Sequence, residues 1–179
     1  SLGWTKGEGD RKTLLGILFE PAERPYCMGW HRDWRDNIPG LDINDWLARR
    51  DDIHFFNQIN CALYEDHCTW VVPGSHRRED TSEEAERFPD RPIVAPSLSG
   101  LTSAEAERCC LDYCRSMHGA VCARLDAGDF MLYRNTLWHI GNYVPYKRRA
   151  TLHDQVWTPA FTEWSGNWPR RPDGRDEWM

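Results

Sequence analysis

The sequence predicts a mainly β protein, an antiparallel barrel or jelly roll. Short runs of β-branched, aromatic and aliphatic residues, closed by Pro-, Gly- and Asn-bearing turns, occupy both ends of the chain. Between them lies one strongly charged, helix-patterned stretch, without the regular strand–helix alternation of an α/β sheet. Ten tryptophans and 40% apolar residues in a chain of 179 suit a single domain, spanning 1–179, with a real core.

In order, KTLLGILFEP (12–21) reads as a strand stopped by Pro21. GLDINDWLARR (40–50) reads as a short helix with Asp42 at its N-cap and two arginines near its end. IHFFNQINCALYE (53–65) reads as one long strand, and CTWVVPGSH (68–76) as a strand closed by a Pro-Gly turn. The charged RREDTSEEAERFPD (77–90) reads as a solvated lid or loop. LTSAEAERCCLDYCRSMHG (101–119) reads as a helix, with a Thr102/Glu105 capping box and Gly119 at its C-terminal end. The remainder to residue 157 reads as three short strands separated by DAGD and GNYVPYK.

Net charge is −6, and no basic tract is available to neutralise phosphates, which argues against a nucleic-acid partner. No apolar run approaches the roughly 18 residues of a membrane span. Seven cysteines, an odd number without a signal-peptide layout, read as free thiols, so a cytoplasmic location is expected. The N-terminal SLGWTKGEGD lacks an initiator Met and leaves room for an upstream segment.

The chemistry centres on PYCMGWHRDWRDNIPG (25–40). On a strand, His31 and Asp33 point to one face and can share an ion. With a second His from elsewhere they would form a 2-His-1-carboxylate triad, which leaves coordination positions open. His139 is the candidate, at the end of GDFMLYRNTLWH. Nine residues further on, Arg148 and Arg149 open the next strand, where a guanidinium fork could hold a dicarboxylate cosubstrate.

Taken together, MGWHRD, QINCALYED, WVVPGSHRRE, GDFMLYRNTLWHIGN and RRATLHDQVW resemble the phytanoyl-CoA dioxygenase family over about residues 26–157. Those proteins are iron(II)/2-oxoglutarate oxygenases built on a double-stranded β-helix of the jelly-roll or cupin kind. The resemblance implies Fe(II) on His31, Asp33 and His139. It implies 2-oxoglutarate paired with Arg148 in preference to Arg149, with Gln58 and Asn142 as further cosubstrate contacts. It makes 79–118 a charged, partly helical insertion. The activity implied is hydroxylation of a small-molecule substrate by O₂, with release of succinate and CO₂. A retained Asp33, where related halogenases carry a small residue, favours hydroxylation. The turn between His139 and Arg148 is two residues shorter than is common in the family. Only thirty residues precede His31, fewer than members usually have. That shortness favours the alternative, a catalytically silent relative acting as a binding module or as part of a larger assembly.

Plainer readings stand beside these. His76 follows a turn and reads as structural. Adjacent His153 and Asp154 face opposite ways on a strand and make a poor ligand pair. Trp30 and Trp34 face away from the metal and read as core packing or surface cover. Gln58 and Asn60 share a face and could equally be satisfied barrel-wall residues. Cys110, Cys114 and His118 share a helical spacing that would suit zinc, continued by Cys122. Gly119 should end that helix first, which favours buried small thiols. A local basic patch around Arg77 and Arg78 could serve an anionic ligand.

Overall fold

A computed structural model describes residues 16–36, 38, 40–88, 93–156 and 158–166. In chain order these form β1 (Gly16–Phe19), β2 (Tyr26–Cys27), α1 (Ile43–Arg49), β3 (Gln58–Ala62) and β4 (Thr69–Val71). A 3₁₀ turn (Ser75–Arg77), α2 (Ser82–Arg87) and α3 (Ser103–Ser116) follow. Then come β5 (Val121–Cys122), β6 (Phe130–Tyr133), β7 (His139–Tyr143), β8 (Ala150–Asp154) and α4 (Pro159–Gly166). The strands make two four-stranded sheets, ordered β1-β8-β3-β6 and β2-β7-β4-β5. Every pairing among them is antiparallel, a mainly β architecture of cupin-like character.

Local chemistry accounts for most element ends. Asp42 caps α1 through Asn44 and Asp45 N–H groups, and Thr102 and Glu105 form the capping box of α3. The expected long strand over 53–65 is shorter, because the Asp52 carboxylate accepts from His54 N–H and its carbonyl from Phe55 and Phe56. That turn delays β3 to Gln58. Of the strand expected over 12–21, residues 12–15 lie outside the described residues. The three strands expected after residue 120 are four, and the GNY of GNYVPYK belongs to β7.

Over its described residues, 77–88, the charged stretch is less solvated than its charge suggests. It carries α2, capped by Thr81 and Glu84. Glu84 is buried against Arg78, and Asp80 reaches back to Arg32 and Arg35. Ion pairing lets these charges leave water.

One core cluster lies outside the second sheet, where Cys27, Cys110, Cys114, Met117, Trp138 and Ile140 meet. The other gathers Trp34, Trp46, Phe56, Phe161 and Trp164 from α1, α4 and the loops between. The outward face of the first sheet has no such cover among the described residues. Ile17, Leu152, Cys61 and Phe130 are successive cross-strand partners on that face. Ile17, Phe19, Phe130 and Leu132 are exposed there. The inward face of the same sheet is polar and carries Gln58, Asn60, Thr151 and His153.

Candidate metal centre

His31 and His139 are paired across an isolated antiparallel bridge, with reciprocal backbone hydrogen bonds of 3.2 and 3.1 Å. Asp33 is not on a strand. It opens a turn, with its N–H donating to the Asn135 carbonyl at 2.9 Å and its carbonyl accepting from Trp46 Nε1 at 3.3 Å. The three side chains nevertheless converge, with one ligand atom from each lying within 4.8 Å of the others. Among the described residues no other cluster of three such groups does so.

The loop carrying His31 and Asp33 is locked from behind. Arg32, 1% exposed, donates to the carbonyls of Ser75 (2.7 Å) and Thr136 (3.0 Å) and pairs with Asp80. Arg35 pairs with Asp36 and Asp80, and both guanidinium groups stack on Trp138.

Both imidazoles are oriented alike. His31 Nδ1 lies 2.8 Å from the Gly29 carbonyl and His139 Nδ1 3.0 Å from that of Leu137, so each Nδ1 carries the proton. That turns both Nε2 atoms toward Asp33, 3.4 and 3.7 Å from its oxygens. Burial opposes charge on Asp33, but His139 and His31 outweigh it and hold its pKa well below the usual carboxylate value. Burial lowers the His31 pKa by less than the Asp33 hydrogen bond and charge raise it. Burial, then His31, bring His139 down to about 4. Two imidazole nitrogens and a charged carboxylate, buried and convergent, fit a divalent transition metal.

A directional polar network runs from Asp33 into the first sheet. Gln58 Nε2 stands 3.4 Å from Asp33 Oδ2 and 3.0 Å from His153 Nε2, and Gln58 Oε1 accepts from the Tyr133 hydroxyl. His153 Nδ1 meets Asn60 Oδ1 at 2.6 Å, and Asn60 Nδ2 donates to Thr69 Oγ1 at 3.2 Å. The pattern closes with His153 neutral, protonated at Nδ1, in keeping with a pKa lowered chiefly by burial.

Two of the expected cosubstrate contacts, Arg148 and Asn142, lie on outward faces. Arg148 is exposed, its guanidinium carbon 4.2 Å from the Tyr64 ring centroid. Arg149 is the inward arginine, 4% exposed, because it shares the inner face with Thr151 and His153. Its Nε donates to Asp66 Oδ2 at 2.9 Å, and the guanidinium stacks on Tyr143. Thr151 Oγ1 and Cys68 N–H also donate to Asp66. Gly141 makes room here, since a Cβ would collide with the Tyr143 hydroxyl. Asn142 alternates away from His139, onto the face of Ile140 and Cys27, so β7 does not bring it to the site.

Other expectations resolve simply. Trp30 and Trp34 are buried. His76 lies 3.3 Å from Asp51, outside the triad. Cys110 and Cys114 face Cys27 in the core while His118 is exposed beyond the end of α3, which separates the zinc set. Arg77 and Arg78 are engaged by Asp51 and Glu84. All seven cysteines are free thiols, and no described helix is long and apolar enough to cross a membrane. Sequence reasoning missed Asp66, Tyr133, Trp46 and Asp80. Only Asp66 carried a signal, as a carboxylate between two β runs.

The fold and site define a β-rich, cupin-like domain with a His-Asp-His cluster. A sequence profile described as phytanoyl-CoA dioxygenase matches residues 11–142, and the chain belongs to that family. No curated protein matches it in sequence. Among solved structures, it is similar to EvdMO1 (17% identity, TM-score 0.47, 80% of this chain and 26% of that one). It is similar also to AviO1 from Streptomyces viridochromogenes Tue57 (18%, 0.44, 87% and 51%). A third is EctD from S. alaskensis, determined with 2-oxoglutarate and 5-hydroxyectoine (20%, 0.41, 78% and 42%). The chain thus spans from about a quarter to about half of the length of these proteins.

Proposed function

We propose that this chain is the catalytic double-stranded β-helix of an Fe(II)/2-oxoglutarate oxygenase that hydroxylates a small organic molecule. The observation that carries the reading is the convergence of His31, Asp33 and His139, both imidazoles fixed with Nε2 toward the carboxylate. When bound, Fe(II) with 2-oxoglutarate and O₂ supplies the oxidising power, releasing succinate and CO₂. The protein's part is to hold and orient. Three ligands on one side leave positions for cosubstrate and oxygen. The bond from Gln58 to Asp33 Oδ2 favours Oδ1 as the ligating oxygen. Arg149, whose Nε edge is already held by Asp66, has its two terminal nitrogens to offer the distal carboxylate of 2-oxoglutarate. Tyr143 stacks on the guanidinium, and Tyr133 and Asn60 belong to the polar network that reaches Asp33 through Gln58.

The test is an anaerobic titration of apo protein with Fe(II) and then 2-oxoglutarate, followed through the visible charge-transfer band of the chelate. A saturable band, lost in His139→Ala and weakened in Arg149→Gln but not in Arg148→Gln, is the expected result. Folded protein that gives no band would overturn the reading. A second reading, binding without turnover, is favoured by one observation: Asp66 already supplies Arg149 with a carboxylate. Succinate formation coupled to substrate loss separates the two.

A further inference from the structure

Helix α4 lies beyond the residues that the family profile matches, and it packs against the turn that carries a metal-ligand candidate. We propose that α4 is a positioning element for Asp33, acting through Trp34; this rests on the reading of His31, Asp33 and His139 as metal ligands.

The argument starts with the backbone. Trp34 has φ +69°, the only non-glycine residue with positive φ among the described residues. That conformation crowds a Cβ against the backbone, and Trp has no short polar side chain to compensate. Something must hold the turn, and the indole is what is held. It is 6% exposed, with ring centroids 4.9 Å from Phe161, 5.7 Å from Trp164 and 6.5 Å from Phe56. The first two partners belong to α4, whose other contacts anchor it firmly. Trp164 Nε1 donates to Asp45 Oδ2 at 2.5 Å, and the Thr158 hydroxyl caps the Phe161 N–H at 3.1 Å while donating to the His54 carbonyl.

The consequence falls on the neighbouring residue. Asp33 has its N–H tied to Asn135 and its carbonyl tied to Trp46, so the peptide joining Asp33 to Trp34 is gripped from α1. Past that peptide, Trp34 sets the direction of the chain, and its carbonyl accepts from Ile38 N–H at 3.2 Å to close the turn. If the indole leaves its aromatic seat, the left-handed conformation loses its support. The Asp33 carboxylate then swings relative to two imidazoles that stay paired on their own bridge. A core contact would thereby set the geometry of a ligand, as supporting residues around metal sites commonly do.

The experiment is Co(II) binding to the full chain, by titration, with thermal unfolding measured in parallel. Phe161→Ala is expected to weaken Co(II) binding about tenfold, within the range typical for loss of a supporting residue. Trp34→Gly, which tolerates the left-handed turn but has no indole to be held, is expected to weaken it by a similar factor. The double variant should bind Co(II) no worse than Trp34→Gly alone, because Phe161 has lost its route to Asp33. Cys114→Ala, in the other core cluster, should lower the unfolding temperature and leave Co(II) binding as it was. Should Phe161→Ala fail to fold, Phe161→Leu keeps the apolar volume without the ring contact and should still weaken binding. Co(II) affinity unchanged in the Phe161 variants, or losses that multiply in the double variant, would overturn the inference alone. Wild-type protein that binds no Co(II) would overturn the metal site and this inference with it.

Discussion

The sheet β2-β7-β4-β5 turns Cys27, Ile140 and Trp70 away from the site and packs them under α3, whereas β1-β8-β3-β6 turns Ile17, Phe19, Phe130 and Leu132 into solvent. Both outer faces are apolar, and both inner faces hold the polar residues of the candidate site. Hydrophobic character is therefore similar on the two outer faces, while area removed from water is not. Stability follows the second quantity. The polar inner face of the first sheet is tolerated because its groups are partnered, from Tyr133 through Gln58 and His153 to Asn60.

The sharpest contrast between inside and outside falls on adjacent arginines. Arg149→Gln removes one partner of a buried pair and leaves Asp66 without its counter-ion, with only Thr151 and Cys68 still donating to it, at a cost of about 3 kcal/mol of stability. Arg148→Gln, at an exposed position, should move stability by no more than about 0.5 kcal/mol. Urea denaturation of the two variants checks both values, and equal effects would reverse the inward assignment. Ile140→Ala beneath α3 should cost a similar amount, about 3 kcal/mol, by the same measurement.

A pH effect of similar or smaller size belongs to the inner faces. Burial and the neighbouring His31 bring the His139 pKa down to about 4, against an ordinary value of 6.5. Between those values the unfolded chain binds a proton that the folded chain refuses. The His139 contribution should therefore fall as pH is lowered from 6.5 toward 4 and level off below, by at most about 3 kcal/mol, while Asp33, with its lowered pKa, adds a further loss at more acidic pH. His139→Gln should remove that component from a urea-midpoint series across the window. The smallest effect belongs to the bare face. Phe130→Ser, at a position 56% exposed, should change stability by about 0.5 kcal/mol or less. It should also reduce self-association in a sedimentation series, since a broad apolar patch is what associates.

Legibility followed the range over which each feature is determined. The capping boxes, the turn at Pro73-Gly74 and the His31, Asp33 and His139 candidates could be read because local rules or distinctive residue types mark them. That Arg149 and not Arg148 faces inward was not legible, because alternation tells which residues share a face but not which face looks inward. That choice is made by the pairing of β8 with β1 and β3, which joins residues far apart in the chain. The outward facing of Asn142 was hidden for the same reason. The charged 77–90 stretch concealed Asp80, whose partners Arg32 and Arg35 lie more than forty residues earlier. Trp34 could be read as core, but its left-handed backbone could not, since nothing in the residue type asks for it.

The three thiols at the seam between β2 and α3 also make a built-in clock. Cys27, Cys110 and Cys114 are 4%, 0% and 0% exposed, whereas Cys61 and Cys109 are half-buried. Hydrogen bonding with Cys114 and burial hold the Cys27 thiol far above its ordinary pKa, and burial pushes Cys110 up to about 12. A thiol reagent consumes thiolate, so it reaches these sulfurs only when the helix lifts from the sheet. Labelling of Cys27, Cys110 and Cys114 should lag that of Cys61 and Cys109, and that lag times the opening of the seam without any added probe.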